Sequence, residues 1–419
     1  MANPQIPALT GLRFIAALCV VIAHAVSKFV PMNHPWPVWY LMVEGLAGLG
    51  MQLFFVLSGF VIQYNYSGAI RENPFTGTFN FFIARFARLY PLYILGLGYD
   101  LLNSYSFYQT SPYLVEALPH YLTLTQSWVY MILGDRSLIF VFGVLPTVSW
   151  SVSTEWFFYL SYPLIRALLA PVGRPRTLVI LAACLVCLAV GTVAMLVLNE
   201  NMLTAIAVRA FGPLAASTDL QLRFVAWLIY FSPYVTILQF LLGCLLASIF
   251  MRLPAKVEAS SQQAGSLVLA LAIVWTVVIF GATFLVSPNV EAKSVLLRRV
   301  GTAFGYAPGL AIVIFCCARY RNSIVRLLGS RVLVLCGEAS YSLYLLHLVV
   351  IERMGISSPL PDNLRTALGA ASRIAFCILT CIGVSLVTWR LVEVPARYWL
   401  RNILQIRVRH PILGRSMQF

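Results

Sequence analysis

Two basic side chains interrupt the apolar stretch from residue 9 to residue 27, LTGLRFIAALCVVIAHAVS: Arg13 and His24. Eleven residues of helix rise about 16 Å and turn roughly three times, so both fall on one face, Arg13 near one end of a span and His24 past its middle. An ionisable group inside a bilayer-length helix faces protein or water instead of lipid, which makes it a candidate for function. The imidazole of His24 can take and return a proton. The structural alternative has Arg13 reaching back to the headgroups and His24 making a hydrogen bond between helices. Arg85 and Arg88 stand three apart and project from neighbouring positions of one helix face. Two guanidinium forks there suit phosphate oxygens, although arginines at the cytoplasmic end of a span also satisfy the positive-inside bias and bind lipid phosphate. Glu155 lies in another apolar segment, four residues from Ser151 and on the same face. Its carboxylate can orient the His24 ring, bond substrate hydroxyls, or pair with a cation of a neighbouring helix such as Arg390. Ser340, Tyr344, His347 and Ile351 make a further stripe, in which His347 is either a catalytic group or part of an interfacial belt.

The elements that must hold these groups are set by composition. The chain is 60% apolar and 10% charged over 419 residues, and apolar runs of roughly 20 residues recur along it, the pattern of an all-α, polytopic helical membrane protein. We place about ten transmembrane helices near 12–30, 44–64, 89–103, 150–170, 178–198, 225–250, 266–286, 300–318, 332–352 and 370–394. The first is a span and not a secretory signal, because no basic region precedes it and no small-residue cleavage site follows. The net charge of +15 does not point to nucleic acid, since the basic residues are scattered among short loops and the tail. An even number of spans puts both termini on one side, and Arg319, Arg321, Arg326, Arg331, Arg397 and Arg401 favour the cytoplasm, with Arg298 and Arg299 against. The domain reading is a membrane body over 1–395 and a basic cytoplasmic tail over 396–419. The nine cysteines fall in or beside apolar runs and imply no disulfide framework, and no His, Cys or carboxylate cluster has metal-ligand spacing. The stretch 103–147 is too long for an ordinary connection, and we expect it to be re-entrant or interfacial, a lid or vestibule on the outer side.

Five blocks in order then carry a resemblance. Arg13 with His24, Phe54-Phe55-Val56-Leu57-Ser58-Gly59-Phe60, Arg85-Phe86-Ala87-Arg88-Leu89-Tyr90-Pro91, Trp150 through Tyr159 (WSVSTEWFFY) and Gly337 through His347 (GEASYSLYLLH) together resemble the integral-membrane acyltransferase 3 family, from about residue 7 to 395. The resemblance implies a ten-helix enzyme of the bacterial inner membrane that moves an acyl group from cytosolic acyl-coenzyme A to a hydroxyl, often of a cell-surface sugar. It places the family's catalytic histidine at His24, which would act as general base; Glu155, from its place in the span, is read as a second catalytic group. Arg13, Arg85 and Arg88 at the cytoplasmic mouth would hold the phosphates of the donor. Acetyl-coenzyme A is then a co-substrate, with no permanently bound cofactor and no metal. The expected partners are acyl-coenzyme A, membrane lipid and a carbohydrate or glycolipid acceptor of the O-antigen or exopolysaccharide type, and no nucleic acid. A macrolide or another secreted natural product is the alternative acceptor. A transporter or flippase would share the spans and buried charges, but internal repeats and paired broken helices are not evident. The sharpest expectation is geometric: Arg13 and Arg88 flank one inward-opening cavity, with the His24 ring at its inner end.

Overall fold

The computed structural model describes residues 4–30, 37–103, 113–142, 144–219, 221–254, 257–285, 298–354 and 364–404, apart from the side chains of 144–147 and 364–367. Among the described residues eight helical stretches are long and apolar enough to cross a membrane: α1 Pro7–Phe29, α2 Val38–Glu72, α3 Pro74–Asn103, α6 Pro175–Leu198, α8 Phe224–Arg252, α9 Ala259–Leu285, α10 Arg298–Arg319 and the stretch Leu368–Leu404. That last stretch contains most of α14 (Leu364–Thr388) and all of α15 (Val394–Leu404). A ninth crossing is a broken one, α12 Arg331–Glu338 and α13 Ser340–Met354, bent by 68°. α5, Val144–Leu169, has 26 residues and a length of about 39 Å, but its run of Ser149, Ser151, Ser153, Thr154 and Glu155 lowers its hydropathy. The short elements are α4 Leu114–Leu122, a two-residue antiparallel pair β1 Ile132–Leu133 and β2 Arg136–Ser137, α7 Glu200–Phe211 and α11 Ser323–Leu328. The broad apolar faces of α6, α9 and α14 are exposed, with Ile180, Leu188, Leu267, Trp275, Phe376 and Leu379 all uncovered, as suits a lipid surface.

α2 is the central post. It packs on α1, α3, α8 and α10, and its contact with α8 is made by two glycines. A side chain at Gly59 would overlap the Phe240 carbonyl, and one at Gly243 would overlap the Val56 carbonyl. Small residues of this kind let two backbones approach in a bilayer, where apolar surface alone does not drive helices together. α1 runs antiparallel to α2: the Tyr64 hydroxyl donates to the Pro4 carbonyl (3.1 Å), while Gly50 meets Ala16 and Val20. Buried polar side chains are satisfied inside the bundle, as a low-dielectric surrounding requires. Gln52 donates to the carbonyls of Gly301 and Thr302, both at 2.9 Å. Gln63 donates to Ser248 (2.8 Å) and accepts from Tyr162 (2.9 Å).

Of the irregular connection, residues 104–112 lie outside the described part, and 113–142 is anchored to protein at several buried residues while Val115, Leu122 and Val129 stay exposed. Tyr93 donates to the Tyr121 carbonyl (2.9 Å), Tyr121 to the Leu138 carbonyl (2.8 Å), and the Trp128 indole to the Ser153 carbonyl (3.0 Å). Tyr130 donates to the Leu222 carbonyl, and burial pushes its phenol up to about 12. Non-helical backbone is thus tolerated because α3 and α5 satisfy it.

Candidate active site

A cavity opens among α1, α2, α3, α5 and α13, with Arg13, Ser58, Arg85, Arg88, Glu155 and Tyr344 among its lining residues. Its α2 wall runs from Met51 to Ile62, eleven residue steps or about 16 Å along the helix. Glu155 is held at this wall by one oxygen: Ser58 donates to Oε1 at 2.9 Å and the Tyr159 hydroxyl at 2.6 Å. Arg85 is boxed by aromatics. Its Nη2 donates to the Tyr66 hydroxyl (2.7 Å), and its guanidinium carbon lies 4.9 Å from the Tyr66 ring centroid and 5.8 Å from that of Tyr159. Such an arrangement keeps a planar cation in place without a direct salt bridge. The result is a pocket with three guanidinium groups and one carboxylate, suited to an anion with several phosphates.

His24 is placed differently from the expectation. It does not line this cavity. From the contact of Gly50 with Val20 it lies about one helical turn beyond the Met51 end. Tyr344 stands between: it lines the cavity, its ring lies edge-on to Phe54 (5.8 Å), and on its other side it meets the His347 ring (5.9 Å). The Tyr344 hydroxyl accepts from Ser151 (2.7 Å) and donates to the Val148 carbonyl (3.0 Å), which pins the ring at the cavity wall.

The partner of His24 is His347. The rings lie nearly parallel, 10° between planes and centroids 5.1 Å apart, and meet edge to edge with His24 Nδ1 2.8 Å from His347 Nε2. His347 Nδ1 in turn lies 2.6 Å from the Tyr344 carbonyl. The proton positions follow from the acceptors. A carbonyl only accepts, so His347 Nδ1 carries hydrogen and its Nε2 is a lone pair in the neutral ring; His24 Nδ1 must then donate to it, and His24 Nε2 is left as the bare, basic nitrogen. His347 is 1% exposed, whereas His24 is half-buried. One turn beyond this pair, Lys28 and Glu352 form an ion pair at 2.9 Å that ties the same two helices together.

The structure therefore gathers Arg13, Arg85, Arg88 and Glu155 around one space and sets His24 behind its end wall. Glu155 does not orient the His24 ring, because Ser58 and Tyr159 hold its carboxylate at the cavity; nor does it pair with Arg390, which is exposed. The orienting group is His347. Its signal in the sequence was its place on the stripe with Ser340, Tyr344 and Ile351, all four of which are buried.

Comparison with known proteins gives the arrangement a family. The profile of the acyltransferase 3 family, described as an acyltransferase domain, matches residues 6–390. The chain is 28% identical over 363 residues to the acyltransferase MdmB of Streptomyces mycarofaciens, covering 83% of this chain and 79% of the relative. It is 43% identical over 92 residues to protein 2 in the picA locus of Rhizobium radiobacter, covering 22% of this chain and 41% of the relative. It is also 30% identical over 169 residues to a Staphylococcus aureus (strain COL) protein provisionally named an O-acetyltransferase, covering 38% of this chain and 24% of the relative. No solved structure matches the chain. With the family profile spanning nearly the whole membrane body and its bundle of crossing helices, the chain belongs to the integral-membrane acyltransferase 3 family and is an acyltransferase.

Proposed function

We propose that this acyltransferase moves an acetyl group from acetyl-coenzyme A to a hydroxyl of an extracytoplasmic or lipid-linked carbohydrate, with His24 as the general base. The observation that carries the reading is the juxtaposition of an arginine-lined cavity with an imidazole whose Nε2 is left free by its bond to His347. The name of the staphylococcal relative supports transfer to oxygen. In this reading the donor phosphates bond Arg13, Arg85 and Arg88 while the pantetheine arm lies along α2, whose 16 Å cavity wall suits an extended arm of that kind. The thioester then arrives at the wall formed by Phe54 and Tyr344, and the Tyr344 ring must swing off Ser151 to let it meet His24.

The chemistry balances at His24. A neutral sugar hydroxyl is a poor nucleophile near pH 7. Its proton passes to Nε2 as its oxygen bonds to the thioester carbonyl carbon, with His347 Nε2 still accepting from Nδ1 and steadying the imidazolium. The carbon–sulfur bond breaks, the thiolate takes the proton back from Nε2, and the ester and free coenzyme A leave. Glu155, with its second oxygen unheld by Ser58 or Tyr159, bonds donor or acceptor groups in the cavity. The test is transfer of label from acetyl-coenzyme A by purified protein, with surface polysaccharide analysed by mass spectrometry in cells with and without the gene. His24→Ala should remove a base worth typically 10² to 10⁴ in rate while the protein stays folded in the membrane. Wild-type transfer by that variant would end the mechanism.

A further inference from the structure

We propose that Arg397 and Arg401 on α15 complete, with Arg85 and Arg88, a polyphosphate site at the mouth of the cavity, and that this site selects donors bearing a nucleotide. The inference rests on the donor reading above and extends it to a part of the chain whose arginines had only a topological meaning. α15 packs along α3. Arg397 lies within electrostatic range of Arg88, Arg85 and Arg401, and Glu338 is the neighbouring carboxylate on another element. Arg397 and Arg401 are four apart and so share a helix face; Tyr398 and Trp399, on other faces, are exposed.

Two observations separate this cluster from a solvated basic tail. The first is how Arg397 is held. The π turn Trp389–Glu393 between α14 and α15 turns Glu393 inward, where it is 1% exposed, accepts from Ser342 at 2.7 Å and pairs with Arg397. A carboxylate buried in this way fixes one guanidinium edge and leaves the other for a further partner. The second is what remains unbonded. Among the described residues the Nε groups of Arg85, Arg397 and Arg401 are buried and have no hydrogen-bond partner. Three charged donors gathered at one place against the carboxylates of Glu338 and Glu393 are costly unless an acceptor of several oxygens joins them. Phosphates are such acceptors, and guanidinium forks match their geometry. The phosphates have two possible sources, the nucleotide end of the donor or a lipid headgroup. The site's continuity with the cavity through Arg85 and Arg88 favours the donor.

The experiment measures binding of acetyl-coenzyme A, its 3′-dephospho form and acetyl-pantetheine to the full chain in detergent, by calorimetry, for the wild type and Arg401→Gln. Among the described residues Arg401 makes no ion pair, so its loss uncovers no buried carboxylate there; Arg397→Gln is the second variant, with monodispersity and thermal unfolding as controls. Each variant should lose roughly tenfold or more in affinity for acetyl-coenzyme A, less for the dephospho form, and nothing for acetyl-pantetheine. Unchanged affinity for acetyl-coenzyme A would assign the arginines to lipid phosphate and overturn the proposal. Equal losses for acetyl-coenzyme A and acetyl-pantetheine would make the effect structural and overturn it too. A wild type that binds acetyl-coenzyme A no better than acetyl-pantetheine would remove the donor reading itself.

Discussion

His347 decides which nitrogen of His24 is free, and the consequence is measurable. With Ala at 347 the Nδ1–H of His24 loses its acceptor, the ring samples both tautomers, and the basic Nε2 is present only part of the time; kcat should fall by on the order of 10² with the donor KM unmoved. His347→Gln offers an amide oxygen in place of Nε2 and should recover part of that loss. Equal losses in the Ala and Gln variants would show that His347 packs and does not position. The charged residues of the cavity were legible from sequence for a simple reason: Arg13, Arg85, Arg88 and Glu155 each stand in apolar surroundings, where a charge needs a reason. The His24–His347 bond was not legible, because it joins positions 323 apart and no helical period relates them. The same ignorance allowed Glu155 to seem a suitable partner for His24. Only the hydrogen bonds from Ser58 and Tyr159 show that its carboxylate is committed elsewhere.

At the scale of elements, the order of the crossing helices followed from apolar runs, but not their count. Among the described residues eight, or nine with the bent pair, are long and apolar enough to cross, against the ten expected, and the devices that aim side chains were not legible either. The 68° bend between α12 and α13 sets the direction of the helix that carries Tyr344 and His347, and the π turn at Trp389–Glu393 ends on the buried Glu393; π turns recur at functional sites. Neither leaves a periodic signature, because each is a choice made by packing. Close approach is different, since Gly59 sits in a readable block and its partner Gly243 in a plain apolar run. Gly243→Leu should push α8 off α2, costing about 1 to 3 kcal/mol or more by overpacking and lowering the unfolding temperature in detergent. Gly383→Leu is the control, for its site has nothing within 4 Å. Matching unfolding temperatures for the two variants would show that the α2–α8 contact is not tight.

For the whole molecule the question is sidedness. Arg13 and His24 share a face of α1 some 16 Å apart along its axis, with the arginine-lined cavity at one level and the Lys28–Glu352 pair beyond the histidines at the other. If donor and acceptor enter from opposite faces of the membrane, the two levels must be reached by water from opposite sides, and the Tyr344 wall between them must keep the passage closed at rest. A membrane-impermeant thiol reagent can test this in sealed vesicles, with the exposed Cys184 and Cys187 replaced by Ser. Cysteine at position 401 should react only from the cytoplasmic face, and acetyl-coenzyme A should protect it. Cysteine at position 352 should react only from the other face and be indifferent to the donor. Labelling of both positions from one face would place donor and acceptor on the same side, and transfer through the bundle would then be wrong even with every helix where it is described. Because the Tyr344 ring lines the cavity and also meets His347, Tyr344→Ala should let a longer impermeant reagent entering from the cytoplasmic face reach a cysteine at position 24, which the intact wall should prevent.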